Sequence, residues 1–139
     1  MKRKTALITG ATSGIGEACA RRFANGGYNL IITGRTADRL KTLKAEFEAL
    51  GVDVLALAFD VCDREATHQA VASIPESFKP IDVLINNAGL ARGLEPEYEG
   101  SFQDWDEMID TNIKGLLNMT RLVVPEMVSL NHGHVINIG

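Results

Sequence analysis

Thr9-Gly10-Ala11-Thr12-Ser13-Gly14-Ile15-Gly16 follows a short apolar run and precedes a segment with helical spacing. A turn from a strand into a helix leaves the first backbone N–H groups of the helix unpaired, and the helix dipole favours an anion beside them. In such a turn Gly10 permits a tight bend, Gly14 lets a pyrophosphate approach the backbone, and Gly16 allows close packing of the helix. Thr12 and Ser13 add hydroxyl groups, so the loop predicts a cradle for nucleotide phosphates.

The spacing of these glycines, GxxxGxG, differs from that of two commoner phosphate-binding loops. The commoner dinucleotide fingerprint is GxGxxG, and the phosphate loop for ATP or GTP ends in GK[ST]. Because that ending is missing, the loop disfavours a nucleoside triphosphatase. A glycine-rich turn without a ligand is the alternative, and the position between a strand and a helix disfavours it.

Apolar runs and helical segments alternate along the whole chain. The runs rich in β-forming residues are 6–8, 30–32, 54–58, 83–85 and 135–138. Each is nearly continuous, as expected for strands that helices cover on both faces. The order βαβαβαβαβ predicts an α/β fold of Rossmann type, a doubly wound parallel sheet with strand order 3-2-1-4-5.

Three of the helices have recognisable boundaries or faces. The apolar positions of the second helix are Leu40, Leu43, Phe47 and Leu50, spaced to share one face. Asp63 is the predicted N-cap of the third helix. Ser101-Phe-Gln-Asp104 resembles a capping box and opens the longest helical stretch, 101–130, in which Pro125 predicts a kink.

Composition and charge exclude several classes of protein. The net charge is −4 with mixed signs, which disfavours a nucleic-acid partner. No apolar run reaches the roughly 18 residues of a membrane span, and no secretory signal is recognisable. The two cysteines lack ligand spacing, which predicts a reduced, cytoplasmic setting. His132 and His134 have no carboxylate or cysteine nearby in sequence, so no metal site is predicted.

The residue after the second apolar run bears on the choice between NADP and NAD. In NAD-binding folds of this type, an acidic side chain at this point hydrogen-bonds the ribose hydroxyls. Here the segment is Thr33-Gly34-Arg35, and Arg35 offers a fixed cation with a planar fork suited to a 2′-phosphate. Arg39, one helical turn later, would assist, so the pattern favours NADP. The alternative is that both arginines are solvated charges at a helix start.

Four motifs occur together, in order and at fitting intervals: TGATSGIG, Asp60-Val61, Asn86-Asn87-Ala88-Gly89 and Asn112-Ile113-Lys114-Gly115. As a set, they resemble the classical short-chain dehydrogenases/reductases over the whole chain. The run 86–139 is similar to the bacterial NADP-dependent 3-hydroxy acid dehydrogenases. Those enzymes act on small hydroxy acids such as serine, allo-threonine and 3-hydroxypropionate. The resemblance implies hydride transfer between a nicotinamide and a carbonyl or hydroxyl carbon, in a homotetramer.

The same resemblance implies a role for each motif. Asp60 and Val61 would flank the adenine ring, and Asn87-Ala88-Gly89 would line the ribose side of the cofactor. Asn112 would be the catalytic asparagine, its main-chain carbonyl holding a water in a proton relay. The residues alone leave other interpretations open: Asp60 as a helix N-cap, NNAG as a plain turn, and Asn112 as a polar kink-former in a long helix.

The other catalytic residues of the family are a serine that normally follows the fifth strand, on which this sequence ends, and a YxxxK pair, which is not found in these 139 residues. Four residues after Tyr28 comes Ile32, and four after Tyr98 comes Phe102. We therefore expect 1–139 to be the dinucleotide-binding portion of a single Rossmann domain, without its C-terminal strands and inactive alone. The alternative to an NADP-dependent oxidoreductase is a non-catalytic dinucleotide-binding or redox-sensing module, and downstream Ser, Tyr and Lys residues would decide between them.

Overall fold

The computed structural model describes residues 2–89 and 100–139. Part of the stretch that carries the closer family resemblance, residues 90–99, lies outside them. The strands of the described chain are β1 (Thr5–Ile8), β2 (Asn29–Gly34), β3 (Val54–Ala58), β4 (Val83–Asn86) and β5 (His134–Asn137). They form one sheet in the order β3-β2-β1-β4-β5. All four neighbouring pairs are parallel, which confirms the predicted strand order.

Helices connect these strands in the described chain. They are α1 (Gly14–Asn25), α2 (Ala37–Glu48), α3 (Arg64–Ala72), α4 (Phe102–Ile109) and α5 (Leu116–Leu130). A short 3₁₀ turn, Glu76–Phe78, precedes β4, and a π-helical segment, Asp110–Gly115, joins α4 directly to α5.

The sheet is covered by helices on both faces, as the continuous apolar runs predicted. Successive strand residues point to opposite faces. Ile8 packs in the core on the side of α1 and α2, whereas Leu7 packs on the side of α5. Both residues are fully buried. Such two-sided burial is typical of parallel sheets.

Two predicted helix caps are confirmed. The Asp63 side chain accepts a hydrogen bond from the Ala66 backbone N–H at 3.0 Å and caps α3. The Ser101 side chain accepts one from the Asp104 N–H at 3.1 Å and caps α4. The sequence therefore located both helix starts through local hydrogen-bonding chemistry.

One expectation about a helix face needs revision. Leu50 does not share the buried face of α2: it is 44% exposed, because α2 ends at Glu48 and the chain has turned away. Pro125 lies inside α5, and a π-helical segment, Asp110–Gly115, precedes that helix.

The strand order places a ligand crevice at one edge of the sheet. The chain leaves β1 towards β2 on one side and β4 towards β5 on the other. At such a reversal the loops after the two central strands diverge, and the crevice between them receives ligands in open α/β sheets. The glycine loop follows β1 and the NNAG tetrapeptide begins in β4, so both lie at this point.

Candidate functional site

A cleft opens beside the carboxyl ends of the strands. Its lining comes from segments that are far apart in sequence: Gly10, Thr12, Ser13, Thr33, Gly34, Arg35, Phe59, Asp60, Val61, Ala88, Gly89 and Thr111. The structure thus brings together most of the residues predicted to hold a cofactor. It also adds Phe59 and Thr111, which carried no recognisable signal in the sequence.

The glycine loop is shaped as its spacing predicted. Gly10 has a φ of +63°, and a Cβ there would lie 2.8 Å from the Ala88 Cα atom. A Cβ on Gly16 would collide with the Gly10 carbonyl and lie 2.5 Å from the Asn87 amide nitrogen. Gly10 therefore makes the bend, and Gly16 allows the helix to approach it.

The start of α1 is open to a ligand. Ser13 is the N-cap residue, but its hydroxyl donates to the Gly10 carbonyl at 3.0 Å and accepts nothing from the first helical turn. A Cβ on Gly14 would meet no described atom within 4 Å, and Ile15 is 58% exposed. The N–H groups of Gly14, Ile15 and Gly16 are thus left for an anion. These three residues lie at the helix start, beside the cleft lining rather than in it.

The NNAG tetrapeptide braces the glycine loop. Buried Thr9 accepts hydrogen bonds from the backbone N–H groups of Asn87 and Ala88, both at 3.0 Å. The Asn87 side-chain amide donates to the Gly10 carbonyl at 3.1 Å. Asn87 therefore faces the loop, while Ala88 and Gly89 line the cleft. Thr9 was not singled out from the sequence, since a threonine at a strand end is common.

Asn86, the first residue of the tetrapeptide, ties neighbouring elements together. It is buried, and its side-chain amide donates to the Thr120 hydroxyl at 3.2 Å and to the Asn137 side-chain oxygen at 3.0 Å. These bonds join β4 to α5 and β5. The interpretation of NNAG as a connecting turn and its position at the cleft are therefore compatible.

The two predicted phosphate-binding arginines differ in environment. Arg39 donates to a Glu17 carboxylate oxygen at 2.9 Å, an ion pair that links α2 to α1. Arg35 lines the cleft, and no hydrogen bond or ion pair engages it within residues 2–89 and 100–139. Arg35 is therefore the arginine positioned to meet a ligand, while Arg39 is held by Glu17.

Asp60 and Val61 follow β3 and form another wall of the cleft. An Asp60 carboxylate oxygen accepts from the Cys62 N–H at 2.9 Å, which shapes the turn. Because Asp63 caps α3, the interpretation of Asp60 as the N-cap is wrong. Burial raises the pKa of the Cys62 thiol, the hydrogen bond with Thr111 offsets part of this rise, and the Asp60 carboxylate raises it further.

Asn112 lies in the π-helical segment, one residue after Thr111 of the cleft lining. A Cβ on Gly89 would lie 3.3 Å from the Asn112 side-chain oxygen, so the two residues are neighbours. In a π-helix each N–H bonds the carbonyl five residues back, and such turns occur frequently at functional sites. The interpretation of Asn112 as a residue of a distorted helix is thus compatible with the catalytic one. The sequence predicted a kink at Asn112 as one alternative, but not its π-helical form.

These residues fit a dinucleotide with a 2′-phosphate. The open start of α1 suits a pyrophosphate, and the Arg35 guanidinium suits a further phosphate. Val61 is 6% exposed and presents an apolar wall suited to an aromatic base. All three groups, the α1 backbone, Arg35 and Val61, lie at or beside the same cleft.

The described residues contain neither a candidate metal site nor a candidate membrane span. Within 2–89 and 100–139, no three His, Cys, Asp or Glu side chains converge as a metal site requires. Nor does any helix in this part of the chain have the length and apolarity needed to cross a membrane.

The fold and cleft define a dinucleotide-binding α/β domain. The chain belongs to the short-chain dehydrogenase family, whose model matches residues 4–139. It is 54% identical over 133 residues to the NADP-dependent 3-hydroxy acid dehydrogenase YdfG of Salmonella typhi, covering 96% of this chain and 52% of that protein. The chain spans about half the length of the curated relatives it matches.

Solved structures show the same relationship. The crystal structure of serine dehydrogenase from Escherichia coli matches with a TM-score of 0.90 and 50% identity, over 97% of this chain and 61% of that one. The closed form of serine dehydrogenase complexed with NADP⁺ matches with the same TM-score and identity, over 97% of this chain and 53% of that one.

Proposed function

We propose that this chain is the nucleotide-binding part of an NADP-dependent oxidoreductase that acts on a small 3-hydroxy acid. The observation that carries the proposal is the position of Arg35. It lines the same cleft as the glycine loop, at the end of β2, where NAD-binding relatives of this fold place an acidic side chain. Similarity to proteins named for NADP dependence and for 3-hydroxy acid or serine oxidation supports the cofactor and the substrate class.

Each described wall of the cleft has a part in holding the cofactor. The first N–H groups of α1 bind the pyrophosphate, and Arg35 binds the 2′-phosphate. Asp60 and Val61 flank the adenine, and Ala88-Gly89 lines the ribose side. When bound, the nicotinamide supplies the hydride chemistry. The main-chain carbonyl of Asn112 holds a water through which a proton moves.

The setting of the whole protein is also part of the proposal. We infer a cytoplasmic homotetramer, in which the α4–α5 region packs between subunits. An exposed apolar row in this region supports that packing: Phe102, Ile109, Ile113 and Leu117. An exposed apolar face of this kind favours association between protein subunits.

Titration calorimetry with NADP⁺ and NAD⁺ tests the cofactor, and NADPH formation from serine, allo-threonine and 3-hydroxypropionate tests the reaction. We expect the whole protein to bind NADP⁺ more tightly than NAD⁺ and to reduce it with at least one of these acids. NADP⁺ binding without turnover of any hydroxy acid would favour the non-catalytic module instead. Residues 1–139 alone should bind nucleotide without turnover, because they contain no YxxxK pair.

A further inference from the structure

The turn Asp60–Cys62, here called the Val61 loop, packs directly on the π-helical segment that contains Asn112. We propose that Gly115 and Asn118 are positioning residues that couple this loop, and with it the adenosine half of the cofactor, to the conformation of Asn112. The inference rests on the proposed function, because it assigns the adenine to the Val61 loop.

The first contact is between Val61 and Gly115. Gly115 is buried at the end of the π-helical segment, and a Cβ there would lie 2.5 Å from a Val61 methyl carbon and 3.1 Å from its Cβ. Real Cβ atoms do not approach another carbon atom to 2.5 Å, so only glycine lets the valine side chain rest on the helix backbone without a shift. The position of the segment is therefore set by the position of Val61.

Two polar contacts hold the same surfaces together. The Asn118 side-chain amide donates to the Val61 carbonyl at 2.8 Å. The Cys62 sulfur and the Thr111 hydroxyl lie within hydrogen-bond distance, at 3.1 Å. Both bonds join residues about fifty positions apart, so they depend on the packed fold.

The helical residues that make these three contacts flank Asn112 along the chain. Thr111 precedes it, and Gly115 and Asn118 follow it on the next turns. Val61 lines the cleft on its other side. An adenine base that packs against Val61 would hold the Val61 loop against the π-helical segment. Displacement of the loop would remove these contacts from the segment. Adenine binding and the placement of Asn112 are thereby linked over a short chain of direct contacts.

Steady-state kinetics of the whole protein separates positioning from a simple adenine-binding role. Asn118→Asp keeps the shape but replaces the donor with a charged acceptor, and Gly115→Ala inserts a methyl group against Val61. Because small misplacements of reacting groups are costly, both variants should lower kcat at saturating NADP⁺ by about ten- to a hundredfold. Asn25→Asp, an exposed asparagine at the end of α1, is the matched control and should retain wild-type kcat.

A rescue variant guards against loss of folding. Val61→Ala removes the methyl carbon that the Gly115→Ala side chain would strike, leaving the 3.1 Å contact to be relaxed by a small shift. The double variant should therefore recover most of the kcat lost in Gly115→Ala. Failure of this rescue in a double variant that folds and binds NADP⁺ would overturn the assignment of Gly115.

Hydrogen–deuterium exchange supplies a readout that does not require turnover. Adenosine 2′,5′-bisphosphate, which lacks the nicotinamide, should slow exchange in peptides covering 108–116 of the wild type. That slowing should be lost in Asn118→Asp at ligand concentrations that saturate the variant. If the slowing persists and kcat at saturation is unchanged, the Val61 loop only binds adenine and the inference is wrong. A wild type that does not bind the bisphosphate would overturn the proposed function itself.

Discussion

Arg35 stands at the carboxyl end of β2 and lines the cleft, whereas Arg39 is paired with Glu17. In the sequence Arg35 was the main candidate and Arg39 the assisting one, because both lie close to the end of the second strand. Their different partners depend on where α1 places Glu17, which no local pattern reveals. The ion pair with Glu17 therefore supports Arg35, rather than Arg39, as the side chain that meets a phosphate.

Replacement of Arg35 tests this assignment. Arg35→Gln should weaken NADP⁺ binding by about ten- to a hundredfold, because hydrogen bonds to charged groups contribute about 1.5–3 kcal/mol. NAD⁺ binding should change little. Arg22→Gln, at an exposed arginine in the last turn of α1, is the control and should bind both cofactors as the wild type does. An equal loss for the two cofactors in titration calorimetry would show that Arg35 does not meet the 2′-phosphate.

Cys62 permits a test of the electrostatics at the same end of the sheet. Burial raises the pKa of this thiol above its ordinary 9.0, and the carboxylates of Asp60 and Asp110 add to the rise. The thiolate is the reactive form, so a raised pKa leaves less of it at any pH below that pKa. Iodoacetamide should therefore modify Cys62 with a pH midpoint above that of a reference peptide thiol, as followed by mass spectrometry. A midpoint at or below that of the peptide would contradict the burial effect.

At the scale of elements, Asp82 joins the amino ends of neighbouring strands. Its carboxylate accepts from the Thr5 backbone N–H at 2.8 Å and lies 3.1 Å from the His132 ring nitrogen. Its side chain is only 12% exposed, whereas that of His132 is 57% exposed. The bond to Thr5 should therefore matter more than the ion pair, because an exposed pair is screened by water.

Two substitutions of Asp82 separate these effects. Asp82→Ala leaves the Thr5 N–H without an acceptor and should lower the free energy of unfolding by about 1–3 kcal/mol. Asp82→Asn keeps an acceptor oxygen, so its free energy of unfolding should fall clearly less. The urea midpoint of each variant provides the measurement, with an unchanged slope as the check that the folded state is intact. Equal losses of unfolding free energy in the two variants would show that the negative charge of Asp82, and not its hydrogen bond to Thr5, provides the stabilisation.

The long helical stretch shows where prediction of elements reaches its limit. Its start at Ser101 is encoded by an N-cap hydrogen bond between residues only three positions apart. The π-helical segment that follows packs through Gly115 against Val61, more than fifty residues earlier. A periodicity in the sequence cannot show such a contact.

At the scale of the whole molecule, the apolar row on α4, the π-helical segment and α5 bears on assembly. Ile113 and Leu117 are 55% and 57% exposed and four residues apart, so they share one face. Leu117→Glu should shift the whole protein from tetramer towards smaller species, because a charge would be buried without a partner. Leu50→Glu, at an exposed leucine after α2, is the control. Sedimentation showing an intact tetramer for Leu117→Glu would exclude this face from the interface.

The sequence by itself determined the parallel sheet, its strand order, the two helix caps and the shape of the glycine loop. The elements, the caps and the glycine loop follow from periodicity or turn chemistry within a few neighbouring residues. The strand order is the one that a Rossmann-type fold implies. The tertiary structure alone decided that Asn87 braces Gly10, that Glu17 holds Arg39 and that Val61 rests on Gly115. It also decided that Leu50 is exposed. These outcomes depend on packing between segments distant in sequence, where a side chain's partner is chosen by the fold.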